Sequence, residues 1–246
     1  MADPSTSRRA LRTGLVWTAL RRVLDEKGGS LDVLDAGGGT GGFAVPLAEL
    51  GHTVTVVDQS PDSLAALERR ANEAGVADRV RAVQGDLDNL AAVAPDASFD
   101  LVLCHSVLEH VDAPDKAMAA VAAALRPGGT ASVVTANRVA AVFARALAGH
   151  TAEASRVLTD PDGRYGAGDA LRRRLTTGEL TTLAGEAGLR VDSVHGVRVF
   201  ADLVPSALLD GDSAATDALV ALEAAVAERP EFRDVASALH LLATRG

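Results

Sequence analysis

The chain has 246 residues, a formal net charge of −9 and 48% hydrophobic residues, but only 3% aromatic ones. That length and apolar content suit one large α/β domain with a substantial core and exclude a disordered chain. One cysteine, Cys104, excludes an intrachain disulfide and a cysteine-based zinc cage; the six histidines are scattered, so no metal is expected.

The apolar runs are too short for a membrane span, and Met1-Ala2-Asp3-Pro4-Ser5 lacks the apolar centre of a secretory leader. A cytoplasmic protein with no membrane contact is the expectation. The charge is uneven. Arg8, Arg9, Arg12, Arg21, Arg22 and Lys27 outnumber the acids of the first helix, and Arg138, Arg145, Arg156, Arg164, Arg172, Arg173 and Arg174 outnumber those around them. Each stretch reads either as an anion-binding face or as a solvated helix surface.

In chain order, Leu11–Asp25 is an amphipathic helix ahead of a sheet. Apolar runs then alternate with helical patterns. Strands fall at Leu31–Ala36, Thr53–Asp58, Val80–Gln84, Asp100–His105 and Thr130–Thr135, with helices at Gly41–Leu50, Pro61–Ala74, Leu87–Val93 and Pro114–Leu125. Ser60 before Pro61 predicts a capped helix start, and Gly75 and Pro127-Gly128-Gly129 predict helix ends. After Thr135 the alternation breaks. Helices over Val139–Ala148, Thr176–Ala187 and Asp212–Glu228 surround a turn-rich loop at Asp160–Gly168 and strands at Arg190–Val199 and Ser237–Thr244. The pattern predicts a doubly wound, mostly parallel seven-stranded α/β sheet in one domain, 1–246. Its parts are an N-terminal cofactor-covering helix (1–30), a cofactor-binding core (31–135), a helical lid insertion (136–175) and the C-terminal half of the sheet (176–246).

The run Val33-Leu34-Asp35-Ala36-Gly37-Gly38-Gly39-Thr40-Gly41-Gly42 carries the chemistry. Its glycines fall where the first strand passes into a helix, where a missing Cβ lets the backbone turn and a ligand approach. The spacing Gly37-x-Gly39-x-Gly41 suits S-adenosylmethionine (SAM), but Gly37-x-Gly39-x-x-Gly42 satisfies the dinucleotide pattern equally. Asp35 separates the two. A carboxylate in the loop repels a pyrophosphate seated on a helix N-terminus, whereas SAM has no phosphate and carries a cationic methionine end. Asp58, closing the next strand, suits the two ribose hydroxyls of either ligand.

Cys104–Glu109 end a strand beside the first, and ligands of doubly wound sheets lie at the carboxyl ends of such strands. Gly85-Asp86-Leu87-Asp88 ends the third strand, where it can flank an adenine, and Leu125-Arg126-Pro127-Gly128-Gly129 opens the fifth. Over Leu31–Val134 this combination resembles the class I SAM-dependent methyltransferases, which implies a Rossmann-like fold and SAM as cofactor. A narrower resemblance runs nearly end to end. Leu11-Arg12 with Trp17, the Asp35–Gly39 loop, His105–Val111, Gly196-Val197-Arg198-Val199-Phe200 and the tail from Leu222-Glu223 to His240 are similar to the bacterial tRNA 5-carboxymethoxyuridine methyltransferases. Those enzymes convert the carboxylate of a modified wobble uridine to a methyl ester.

This resemblance implies SAM contacts at Arg12, Gly37, Gly38, Asp58, Leu87, Asp88 and His105, to which the loop itself adds Asp35 and Gly39. A guanidinium at Arg12 can pair bidentately with the methionine carboxylate. The chain departs from the family in two places. Thr135-Ala136-Asn137 stands where the family has aromatic residues before the asparagine, and Arg172-Arg173-Arg174 replaces a lysine run. Base-stacking candidates reduce to Tyr165, Phe200 and Phe232, each read better as core or lid packing.

A carboxylate acceptor is already ionised and needs a cation to hold it rather than a base. Arg198, Arg138 and Arg145 are the candidates for that clamp, against the reading of Arg198 as an acid-paired surface residue. A phenol, hydroxyl or amine acceptor more often needs a base, for which His105 and His110 are available, although His105 suits packing against the cofactor better. His105 and Arg198 are therefore the expected positioning residues at the reacting centre. A DNA methyltransferase is disfavoured: the Pro-Pro-aromatic cluster is missing, and Leu103 rather than proline precedes Cys104, which should be buried and unreactive. The expected partner is a methyl acceptor, either tRNA or a small metabolite. A non-catalytic SAM-binding protein is the reading from outside the enzymes.

Overall fold

The computed structural model describes residues 4–87, 90–94, 96–205 and 213–246, with the backbone alone at 4–12 and 213. A long helix α1 (Pro4–Lys27) leads into β1 (Asp32–Ala36), α2 (Ala44–Glu49), β2 (Thr53–Asp58), α3 (Pro61–Glu73) and β3 (Val80–Gln84). Next come α4 (Leu90–Val93), β4 (Phe99–His105), α5 (Pro114–Ala124) and β5 (Leu125–Ala136). Then follow α6 (Arg138–Leu147), α7 (Thr151–Thr159), α8 (Thr177–Glu186), β6 (Leu189–Val197), α9 (Ser213–Val226), α10 (Pro230–Arg233) and β7 (Ala238–Arg245).

The strands form one sheet in the order β3-β2-β1-β4-β5-β7-β6. β1 pairs in parallel with β2 and β4, β2 with β3, and β4 with β5. Val33, Leu34 and Ala36 of β1 and Leu101 to Cys104 of β4 are buried along both faces, as continuous apolar runs in a helix-covered parallel sheet should be. The winding reverses beside β1, which opens a crevice at the carboxyl ends of β1 and β4. α3 starts as its sequence predicts. The Ser60 side chain accepts from the Ser63 N–H, Pro61 fills the first turn, and Leu64, Leu67 and Ala71 form the buried face.

Two predicted boundaries are corrected. The helix expected from Gly41 begins only at Ala44, because Gly39 and Gly41 hold φ values of +54° and +79°, outside the helical region. The fifth strand begins at Leu125, five residues early, and Pro127-Gly128-Gly129 lies inside it rather than at a helix end. Its pairing with β4 is irregular between Phe99 and Leu101, and a Cβ at Gly129 would sit 2.8 Å from the Arg126 carbonyl and 3.1 Å from that of Phe99. The glycine lets the backbones meet at a bulge.

The chain divides into two compact units. One comprises Lys27–Val134, Leu180–Asp192 and Leu241–Gly246, and it contains the glycine-rich loop. The other comprises Met1–Glu26, Thr135–Glu179 and Ser193–His240. In this second unit Asn137 caps α6: its side-chain oxygen accepts from the Val139 N–H, while its amide donates to the carbonyls of Asp234 and Ala236 at 2.9 and 2.8 Å. Three arginines of the insertion are engaged with acids of this unit. Arg174, 9% exposed, clasps Asp169 with two bonds of 2.6 and 3.0 Å and donates to the Gly163 carbonyl. Arg145 pairs with Glu153 and lies 3.7 Å over the Tyr165 ring, and Arg138 pairs with Glu179. The expected anion-binding face therefore loses Arg174 to the interior, and Arg138 and Arg145 to acids of the same unit. Arg172 stays exposed.

Candidate cofactor and acceptor site

The carboxyl end of β1 delivers Asp35 to the interior and then turns through the glycines. The Gly37 N–H donates to the Val57 carbonyl at 2.7 Å, which ties the loop to β2. A Cβ at Gly38 would stand 2.5 Å from Asp35 Oδ2 and 2.9 Å from Val56, so no other residue fits there unless Asp35 moves. A Cβ at Gly41 would be closed against Leu67, whereas around Gly42 it would meet nothing within 4 Å. Gly37, Gly39 and Gly41 hold left-handed φ values of +79°, +54° and +79°, so the glycines whose backbone conformation requires them follow the Gly-x-Gly-x-Gly spacing. The helix-packing glycine of a dinucleotide loop has no counterpart at position 42.

Asp35 is 3% exposed, and its Oδ2 has no hydrogen-bond partner among the described residues. Burial, and then the neighbouring Asp58, push its pKa up to about 7. A buried acceptor without a donor costs about 1–3 kcal/mol, a cost that a bound cation relieves. Asp58, half-buried at the end of β2, accepts from the Gly39 N–H through Oδ2 and from the Ser60 N–H through Oδ1, both at 2.9 Å. These bonds fix its carboxylate plane and leave lone pairs on both oxygens. A Cβ at Gly39 would meet only Asp58 Oδ2, at 3.9 Å, so the loop backbone is open on that side. The Gly85 N–H donates to the Asp58 carbonyl at 3.1 Å, bringing the turn before buried Leu87 to the same strand end. An unmet buried carboxylate, a second carboxylate held in a fixed plane and an open glycine backbone fit SAM, with its cationic end and its vicinal ribose hydroxyls.

His105 closes β4. Its Nε2 lies 2.8 Å from Ser132 Oγ, its ring stands edge-on to Phe43 at 4.6 Å, and burial lowers its pKa to about 3. The next residue, Ser106, holds a left-handed φ of +57°. Cys104 is fully buried, and burial, with Glu109 and Asp35 adding to it, pushes its thiol far above the usual range. That removes a thiolate nucleophile from the site.

Asp35, Gly37, Gly38, Gly39, Asp58, Leu87 and His105 thus gather in one unit at the strand ends. Asp88 and the Arg12 side chain lie outside the described residues. Arg198 belongs to the other unit, where its Nε donates to Asp202 at 3.0 Å. Tyr165 packs under Arg145, and Phe200 packs on Phe232 with ring centres 6.0 Å apart, so the base-stacking candidates are packing residues. Phe143, passed over in the sequence, is 53% exposed on α6. Phe43 and Ser132 were also missed, whereas Glu109, expected at the pocket with the rest of Cys104–Glu109, is buried. The Gly37–Gly41 spacing flags Phe43 as next to the loop, but nothing local marks Ser132, which sits 27 residues from His105.

The Methyltransferase domain family matches residues 34–133. The chain belongs to the class I SAM-dependent methyltransferases, and SAM is its cofactor. Within them it is 32% identical over 206 residues to the tRNA 5-carboxymethoxyuridine methyltransferase of Escherichia coli (strain K12), a match covering 80% of this chain and 74% of that one. It is 36% identical over 165 residues to a ubiquinone biosynthesis O-methyltransferase of Xanthomonas euvesicatoria pv. vesicatoria, covering 67% of this chain and 65% of that one. A SAM-dependent methyltransferase of Methanosarcina mazei shares the fold with a TM-score of 0.63 at 17% identity, covering 92% of this chain and 96% of that one. Among the described residues no helix is long and apolar enough to cross a membrane. Among them, too, no group of three or more His, Cys, Asp or Glu side chains is arranged to hold a metal.

Proposed function

We propose that this methyltransferase esterifies a carboxylate, and that the carboxylate is carried by a modified wobble uridine of tRNA. His105 is the observation that carries the reading. A histidine at the carboxyl end of β4 is the natural base for a hydroxyl or amine acceptor, yet this one is held near Ser132 with its pKa lowered to about 3. Such an imidazole is a weak base at neutral pH. A carboxylate is ionised already and gives up no proton on esterification, so the site needs only to hold it. The 32% identity to a tRNA 5-carboxymethoxyuridine methyltransferase supports the same acceptor class.

Bound SAM supplies an electrophilic methyl group. In this reading Asp35 faces its cationic end, the Gly37, Gly38 and Gly39 backbone lies along it, and Asp58 accepts from the ribose hydroxyls. Leu87 and Asp88 flank the adenine, Arg12 pairs with the methionine carboxylate, and His105 packs against the cofactor as a neutral ring. Arg198 holds the acceptor carboxylate. Positioning of this kind supplies much of the acceleration of a bimolecular transfer.

The paired arginines of the insertion favour a second reading, a small-molecule acceptor, because Arg138, Arg145 and Arg174 are already matched by acids and offer less charge to phosphate. Offering methyl-labelled SAM with total tRNA and, separately, with a metabolite extract discriminates the two. The proposal expects label in tRNA; label confined to metabolites makes the second reading the right one.

A further inference from the structure

Arg198 follows β6 with φ +58°, a left-handed conformation that a residue with a Cβ adopts at a cost. The cause lies 25 residues later, in α9. Glu223, 7% exposed, accepts from three successive backbone groups: the Val199 N–H through Oε2 at 2.9 Å, and the Phe200 and Ala201 N–H groups through Oε1 at 2.8 Å each. The turn is tied elsewhere too. The Arg198 carbonyl accepts from the Ser237 N–H at 3.1 Å, and the Gly196 N–H donates to the Ala227 carbonyl at 2.7 Å. Phe200 adds its ring to a small core of Val199, Val226 and Ala236. Asp202 takes Nε of Arg198, and neither Nη atom has a hydrogen-bond partner among the described residues.

A strained turn persists only where its surroundings over-determine it, and such turns concentrate at functional positions. Here a buried carboxylate closes on a nest of amides and fixes the backbone from which a guanidinium projects, with two donors left over. We propose that Glu223 is a positioning residue for acceptor recognition: its carboxylate holds the Arg198 turn so that the free edge of the guanidinium takes the anionic group of the acceptor. The proposal rests on the carboxylate-acceptor reading above and adds the element that sets the clamp. Glutamine at 223 has one accepting oxygen and turns an amide N–H₂ towards the Val199 N–H, so it cannot hold all three groups.

The test is a double-mutant cycle on methyl transfer to tRNA bearing 5-carboxymethoxyuridine. Arg198→Ala should raise KM for the tRNA about 10- to 100-fold, the range for a lost charge-assisted pair. Glu223→Gln should raise it about tenfold with SAM affinity unchanged, and should add less than about twofold in the Arg198→Ala background. If Arg198→Ala acts but Glu223→Gln does not, or if their effects multiply, the positioning role is wrong while the acceptor reading stands. If wild type transfers nothing to this tRNA, or Arg198→Ala is silent, the acceptor reading itself falls and the proposal with it. A measurement on unmutated protein covers the case in which Glu223→Gln does not fold. The nucleoside 5-carboxymethoxyuridine should shift the amide resonances of Val199, Phe200 and Ala201 in the wild type but not in Arg198→Ala; unshifted wild-type resonances overturn the proposal.

Discussion

Asp35 is a carboxylate that folding leaves incompletely satisfied, and its pKa states the consequence. Its folded value of about 7 stands above the unfolded 3.8, so folding favours the protonated form. Stability from this group is fully present below about pH 4 and is lost as the pH rises to about 7, amounting to about 4 kcal/mol across that window. Denaturation of the apoprotein between pH 4 and 8 should show the decline, and Asp35→Asn should flatten it. Cofactor binding runs the other way. SAM is cationic and favours the ionised carboxylate, so its affinity should climb with pH up to about 7 and then level. Calorimetry in buffers of different ionisation enthalpy should detect a proton released below pH 7. Asp35→Asn should bind SAM about tenfold more weakly, with no such release. An affinity independent of pH in the wild type would remove Asp35 from the cofactor site.

At the scale of elements, the loop and the insertion each yield a paired contrast. Gly41→Ala forces a Cβ into a left-handed position closed by Leu67, and should cost about 2–4 kcal/mol from strain and overpacking together. Gly42→Ala meets open space and should stay within about 0.5 kcal/mol. Equal melting temperatures for the two variants would contradict the loop assignment. In the insertion, burial pushes the Asp169 carboxyl up, but its bonds from Arg174 and from the Tyr165 and Leu171 N–H groups bring it below the usual range. Arg174→Ala breaks this pair and should destabilise by about 3–5 kcal/mol, with the loss smallest in acid, where Asp169 is protonated. Arg172→Ala, at an exposed position, should lower the melting temperature far less than Arg174→Ala.

The same elements show what can be read without coordinates. Strand β2 begins and ends where its apolar run does, because Val54, Val56 and Val57 are buried in a helix-covered parallel sheet; β3 keeps its expected bounds although its residues are only half-buried or exposed. The start of β5 was missed because Pro127-Gly128-Gly129 reads as punctuation, and only the neighbouring strand shows it to be a bulge. Helix α7 was missed for another reason: Thr151–Thr159 buries only Ala154 and Val157, too few positions for a recognisable stripe. The glycine loop and Asp58 are contiguous signals and were legible. The meeting of Glu223 with the Arg198 turn, and of His105 with Ser132, is made by tertiary packing and leaves no local mark.

For the molecule as a whole, the chain has a fold that serves different methyl acceptors in its relatives, and the proposed carboxylate acceptor is one that needs no base. Cys104 is a buried thiol, His105 is a neutral ring with a pKa of about 3, and Asp35 is enclosed beneath Gly38. Because a carboxylate acceptor needs no base, the turnover rate at saturating SAM should be flat from about pH 6 to 8.5 for an acceptor ionised throughout that range. The most direct measurement follows the product made from methyl-labelled SAM and tRNA bearing the free 5-carboxymethoxy acid. The account predicts that the label is released as methanol by mild alkali, as a methyl ester must be, and that its rate of formation does not change across that pH range. Label that resists alkali, formed at a rate that rises steeply through an apparent pKa between about 7 and 9, would mean an amine or hydroxyl acceptor served by a base.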